Sequence, residues 1–232
     1  MITTIPAERR HKADHGWLTS YHLFSFADYY DPQNMDFGVL RVMNDDEIAP
    51  ESGFGEHSHD NMEIVTIVWE GELTHRDSIG NSGVIRAGEV QYMSAGTGVQ
   101  HAELNESFES THLYQIWIMP REQNLPPQYE QKDFSDVNNA NILLPVASGE
   151  NKEGALSIRA DATIYTSLLD EGKSVAHDIQ KDHGVFIYVR SGLLTVNGVE
   201  LKLCDQARIT NEESLNITAS EYAEFLLIDV AL

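Results

Sequence analysis

Two short runs in this 232-residue chain have the spacing of chelating pairs. His57 and His59 lie two residues apart in Gly53-Phe-Gly-Glu-His57-Ser-His59-Asp-Asn-Met-Glu63. On extended backbone, side chains alternate faces, so both imidazoles point the same way, one pleat apart. His101 and Glu103 repeat the arrangement in Gly96-Thr-Gly98-Val-Gln-His101-Ala-Glu103. Two such pairs on neighbouring strands of a small barrel supply three neutral nitrogens and one carboxylate. That set suits a divalent transition metal and leaves positions for water or substrate. His-x-His alone is common; followed downstream by Gly-x-Gly-x-x-His-x-Glu inside β-type sequence, it is far more specific.

The elements that would carry these pairs read as short strands with almost no helical periodicity. Asp36 to Val42, Glu63 to Trp69, Glu72 to Arg76, Val90 to Met93 and His112 to Met119 are rich in Val, Ile, Thr, Tyr and Trp. Turn chemistry at Gly71, Gly80-Asn81, Gly88 and Gly96-Thr97-Gly98 bounds them. From Pro120 to Ser148, Pro120, Pro126, Pro127 and an Asn-rich run read as a connector. Strand-like runs then resume at Thr163 to Leu169, Val185 to Val189, Leu193 to Val196, Val199 to Leu203 and Glu224 to Val230. Asn197-Gly198 is a two-residue hairpin signal. The segment Glu63 to Leu73 aligns without a gap on Gly184 to Leu194, which favours a duplicated barrel. The expected class is all-β, in two units covering residues 1–130 and 131–232.

Charge narrows the partners. Fifteen Lys and Arg against 37 Asp and Glu give a formal charge of −22, which repels phosphate backbones and anionic lipid, so neither nucleic acid nor membrane is an expected partner. No apolar run has the length of a membrane span. Met1 to His15 is polar and shows no signal peptide, and the lone Cys204 forms no internal disulfide; together these give the expectation of a cytoplasmic protein. Cys204 reads as a small core residue in a strand-like segment, and His75 and His112 as hydrogen-bonded barrel residues. Of Tyr114/Ile116 and Gln115/Trp117, one pair must face the barrel interior.

The run His57-x-His59-x-x-x-Glu63, a strand into Gly71, then Gly88 and His101, resembles the two motifs of the cupin superfamily. More narrowly, the chain resembles the pirin family. His15-Gly-Trp17, His22-Leu-Phe-Ser-Phe26, Tyr30-Asp-Pro32, His75-Arg-Asp-Ser78, Met93-Ser-Ala-Gly-Thr-Gly98 and Tyr114-Gln-Ile-Trp-Ile118 carry that resemblance, densely from His15 to Pro120. Its bacterial members described as quercetin 2,3-dioxygenases are the nearest in kind. The resemblance implies a bicupin, two double-stranded β-helix barrels of jelly-roll type packed face to face, with metal in the first only. The family's ligands fall on His57, His59, His101 and Glu103. In many cupins outside this family the carboxylate ligand would be Glu63, which here reads as a barrel-packing carboxylate. In the second barrel, Asp178 and Gln180 stand opposite His57 and His59, and His177 and His183 are spaced too far apart for a shared bite.

What the resemblance implies for chemistry is a metal-dependent dioxygenase. One divalent ion, iron first, with nickel, cobalt, copper, manganese and zinc also fitting the set, would receive the 3-hydroxyl of a flavonol such as quercetin. Glu103 would act as ligand and catalytic base, and reaction with O2 would release carbon monoxide. Phe24, Phe26, Phe37 and Phe54 are candidates to wall the flat substrate. The other expectation from the family is a redox-sensing regulator that binds protein partners through its metal-bearing barrel.

Overall fold

The computed structural model describes residues 1–232. Its elements are strands apart from one short 3-10 helix, Ala7–Arg9. They form two seven-stranded and two four-stranded sheets. In the first barrel the large sheet runs Gln128–Asp133, Glu89–Ser94, Glu63–Glu70, Thr111–Ile118, Leu40–Ile48, Leu18–His22, His11–Asp14. Its small sheet runs Ser52–His59, Val99–Asn105, Glu72–Asp77, Ser82–Arg86. The second barrel repeats this order, with Glu63–Glu70 matched by His183–Ser191 and Thr111–Ile118 by Ala223–Ala231. The chain is a bicupin, as the sequence repeat suggests. At both copies of the repeat the glycine has positive φ, 73° at Gly71 and 80° at Gly192, and a backbone carbonyl stands where a Cβ would be.

The two large sheets pack on each other, which explains why their strands are buried on both faces. Along Glu63–Glu70, Val65 and Ile67 join Ile116, Phe186, Leu226 and Ile228 in a core between the barrels. The alternate residues Ile64 and Val68 enter the first barrel. Polar groups also cross the barrel junction: Asp45 accepts from Tyr188 Oη at 2.6 Å and lies 3.3 Å from Arg10 Nη1. Barrel membership does not follow chain order throughout. The opening strand Ile2–Ile5 pairs with Gln206–Ile209 at the edge of the second barrel's large sheet.

Several expectations need correcting. The stretch taken as a connector contains two strands, Gln128–Asp133 and Leu144–Ser148, which pair with Glu89–Ser94 and Ala162–Leu169. The strand expected at Asp36 to Val42 is instead Leu40–Ile48 and continues through Asn44-Asp45-Asp46-Glu47. These residues disfavour strands as exposed residues, but here Asn44 and Asp46 face the barrel interior and Asp45 is paired across the barrels. Cys204 is half-buried with φ 63° in the turn after Val199–Leu201, not in a strand. The Asn197-Gly198 hairpin is present, joining Val196 to Val199 with both residues at positive φ.

Candidate metal centre

His57 and His59 come from Ser52–His59, and His101 from the adjacent antiparallel strand Val99–Asn105, where it stands directly opposite His57. Their ring nitrogens lie within 4.8 Å of one another. His101 Nε2 is 3.0 Å from His57 Nε2, so two nitrogens address one point. A hydrogen bond fixes which nitrogen His57 presents: its Nδ1 is 2.8 Å from the Gly55 carbonyl, which takes the Nδ1 proton and leaves the Nε2 lone pair free. Burial, with mutual repulsion among the rings, pushes His59 down to about 4 and His101 down to about 3. Both are therefore neutral at pH 7, the form a metal requires.

Glu103 lies beside this cluster, but it groups within 4.8 Å with His75 and His101 rather than with all three imidazoles of the HxH side. A bulge in Ser52–His59 puts one extra residue opposite the His101-to-Glu103 step: His101 faces His57, whereas Glu103 faces Phe54. Its carboxylate is buried and held. Gln115 Nε2 donates to Oε2 at 2.9 Å, and Thr66 Oγ1 lies 3.5 Å from Oε1 while donating to Gln115 Oε1 at 3.0 Å. Behind His101, His75 Nδ1 is 3.5 Å from His101 Nδ1, and His75 Nε2 is 3.2 Å from Asp77 Oδ2. His75 is thus a fully buried link in a His101–His75–Asp77 chain, which its reading as a hydrogen-bonded barrel residue anticipates.

The opposite wall is a row of polar side chains that periodicity did not flag. Strand register aligns His22, Asn44, Gln115, Thr66 and Gln91 across five neighbouring strands of the large sheet. All are buried. In the second barrel the same register positions carry Tyr165 for Asn44, Leu227 for Gln115, Ile187 for Thr66 and Ala207 for Gln91. The strand Ser214–Ala219 likewise has Leu215 and Ile217 where the first barrel has His101 and Glu103. One barrel interior is polar and the other is filled with apolar side chains. The register also moves the correspondence made from sequence by one residue: His177, not Asp178, faces Leu215. His177 Nε2 and His183 Nδ1 both meet the carboxylate of Asp229, at 2.6 and 2.5 Å.

A cavity of about 280 Å³ opens over the cluster, at the small end of ligand pockets. Trp17, Phe54, Phe26, Trp117 and Ile64 wall it. Trp117 stands edge-on to His59 at 4.8 Å and to Phe26 at 5.3 Å. Gln115 and Trp117 are therefore the inward pair, and Tyr114 and Ile116 belong to the inter-barrel core. Of the four phenylalanines expected around the site, Phe26 and Phe54 are there. Phe24 and Phe37 pack between the barrels instead. Glu63 faces away from the cavity: it accepts from Tyr92 Oη, from Ser94 Oγ at 2.6 Å and from the Arg159 backbone N–H at 3.0 Å.

The pirin family profile matches residues 5–118, and the profile of the quercetinase C-terminal cupin domain matches residues 145–230. A pirin-like protein of Caulobacter vibrioides is 44% identical over 100% of both chains. The chain belongs to the pirin family. This pirin is also 44% identical to the quercetin 2,3-dioxygenase of Escherichia coli K12, over 99% of each chain. The crystal structure of the bacterial pirin YhhW from Escherichia coli in complex with nickel(II) superposes with a TM-score of 0.94, at 44% identity, covering 100% of this pirin and 99% of that chain. The donor set itself suits a divalent ion: neutral, desolvated imidazoles converge beside a buried carboxylate. No helix of this pirin is long and apolar enough to cross a membrane.

Proposed function

We propose that this pirin is a metal-dependent dioxygenase that cleaves the flavonol quercetin with O2 and releases carbon monoxide. His57, His59, His101 and Glu103 would hold one divalent ion. The observation that carries this reading is the convergence of three imidazoles, His59 and His101 among them neutral, beside Glu103 in a cavity with aromatic walls. The names and the nickel complex among its 44% identical relatives support the same chemistry. The ligand types accept iron, nickel, cobalt, copper, manganese or zinc, and iron is the first candidate.

When bound, the ion supplies Lewis acidity that lowers the pKa of a hydroxyl it meets. The chain's own residues do the rest. Trp17, Phe54, Phe26 and Trp117 wall the cavity, would hold a flat ring system and keep water from it. Glu103 takes the proton of the flavonol 3-hydroxyl. Gln115 and Thr66 hold the carboxylate so that it turns toward the cavity and not into the sheet. His75 and Asp77 hold His101 in the tautomer that presents Nε2. Deprotonation makes the heterocyclic ring electron-rich, O2 adds across it, and ring cleavage expels carbon monoxide.

The test is carbon monoxide release from quercetin by protein reconstituted with each candidate metal, beside the His101→Ala variant. Catalytic release by wild type and none by the variant is the expected result. Stoichiometric metal binding with no release under any of the metals overturns the dioxygenase reading, and the redox-sensing, protein-binding role then becomes the account to pursue.

A further inference from the structure

Four side chains on the cavity wall have no part in the chemistry above. Ser20 and His22 alternate on Leu18–His22, and Asn44 and Asp46 on Leu40–Ile48. The two strands pair so that Ser20 stands opposite Asp46 and His22 opposite Asn44, making a square on one sheet face. All four line the cavity and are 1–4% exposed. Each has a polar atom without a well-formed hydrogen bond in the protein, Ser20 making only a weak contact to Asp46 opposite it: Ser20 Oγ, His22 Nδ1, Asn44 Oδ1 and Asp46 Oδ1. A buried polar atom left unpaired is costly and uncommon in folded proteins. Four of them on one square facing a cavity mark a surface kept for a polar ligand.

The chemistry of the square narrows that ligand. Asn44 Oδ1 is an acceptor, while Ser20 Oγ, a neutral imidazole Nδ1 and the raised carboxyl of Asp46 can give or take a hydrogen bond. Burial, aided by His11 and His15, pushes His22 down to about 4, so the square holds no cation at pH 7. A carboxylate or phosphate would meet no counter-charge there. A hydroxyl, which both donates and accepts, fits. Position matters as well: Asn44 is one strand from Gln115, the partner of Glu103, and His22 is two strands away. At the usual strand spacing these are about 5 and about 10 Å along the sheet, within the span of one three-ring molecule.

We propose that Ser20, His22, Asn44 and Asp46 form a hydroxyl-reading subsite that selects, among flat aromatic substrates anchored beside Glu103, those carrying phenolic hydroxyls at their far end. The proposal rests on the flavonol reading above, and names which flavonols the site prefers.

The experiment compares two probes, quercetin and 3-hydroxyflavone, which share the anchoring 3-hydroxyl and differ in the remaining hydroxyls. Their dissociation constants are measured by fluorescence quenching on nickel-loaded protein without oxygen, for wild type, Ser20→Ala and Asn44→Leu. Wild type is expected to bind quercetin at least about tenfold more tightly, the worth of one or two satisfied buried hydrogen bonds. In each variant that preference should fall to about threefold or less, with 3-hydroxyflavone affinity unchanged. Equal wild-type affinities, failure of wild type to bind either probe, or variants that keep the full preference each overturn the subsite. If neither variant folds and loads nickel, the wild-type pair of affinities decides alone. Carbon monoxide release from the same preparations separates the two readings. Discrimination without release keeps the subsite and removes the dioxygenase, whereas release without discrimination does the reverse.

Discussion

Gln115 donates from Nε2 to Glu103 Oε2 at 2.9 Å, and both side chains are buried. The amide therefore sets the orientation of the Glu103 carboxylate beside the histidine cluster. Gln115→Leu should lower metal affinity or turnover by about 10–100-fold, the usual effect of removing a partner of a ligand group. Gln115→Glu, which sets a second carboxyl against the first, should be the harsher change. A chelator competition titration, run with carbon monoxide release, checks both.

Asp77→Asn probes the relay behind His101. Asp77 Oδ1 accepts the backbone N–H groups of Ile79 and Asn81, so the oxygen of an introduced amide would stay there. Its Nδ2 would then face His75 Nε2 and Asn81 Nδ2, both donors, and drive the His75 proton to Nδ1, against Gln91 Nε2 and His101 Nδ1. His101 would respond by carrying its proton on Nε2, the nitrogen turned toward His57. Metal affinity should fall about tenfold or more, beyond a smaller loss of thermal midpoint in the metal-free protein from the disturbed buried hydrogen bonds. Calorimetric metal titration and a melt of chelated protein decide it.

Glu63→Gln separates packing from ligation. The carboxylate accepts from Tyr92 Oη, Ser94 Oγ and the Arg159 N–H, all at the inter-barrel junction. A neutral amide can accept through only one oxygen and sets its NH2 against a donor. The expected loss is about 3 kcal/mol, lowering the melting midpoint by roughly 6–12 °C. Metal stoichiometry should remain that of wild type; loss of metal would put Glu63 in the coordination sphere.

Asp46 gives the fold a pH dependence. Burial pushes its carboxyl up to about 7, with Ser20 opposite it a partial offset. An ordinary unfolded aspartate titrates near 3.9. Below that value both states are protonated and the group costs nothing. As pH rises toward 7 the unfolded chain ionises first, and the native state loses relative stability until the folded group ionises too. Asp46→Asn should therefore raise the melting midpoint of chelated protein at pH 8, by about 1–4 kcal/mol of stability, with the gain fading toward pH 4. A melting series across that range with no pH trend in the difference would show that Asp46 is already ionised in the native protein.

The parts of this protein legible in its sequence are those where pattern and role coincide. The His57/His59 and His101/Glu103 spacings met the alternation of extended backbone, and Glu63–Glu70 announced itself through β-branched residues. The rest obeyed tertiary context. Leu40–Ile48 hides behind Asn44-Asp45-Asp46-Glu47 because a strand facing a polar cavity loses its apolar signal. Ser20 and His22 carry the same period of two, but without a sheet partner in view nothing marks them as a site. Ile2–Ile5 is only four residues long and takes its stability from a strand at the other end of the chain. Phe24 and Phe37 looked equivalent to Phe26 and Phe54, because composition near a site says nothing about which sheet face a ring will occupy.

The pairing of Ile2–Ile5 with Gln206–Ile209 also bears on how the protein is born. The partner of this strand lies about two hundred residues downstream, so it waits unpaired while that length is synthesised. Closing that pair joins segments far apart in sequence, a contact of slow formation. The threonines at positions 3 and 4 keep the waiting strand half polar, which makes it a poor template for premature pairing. Once seated, it ties the beginning of the chain across the metal-bearing barrel's neighbour, so a cut between the barrels would leave them still stitched together.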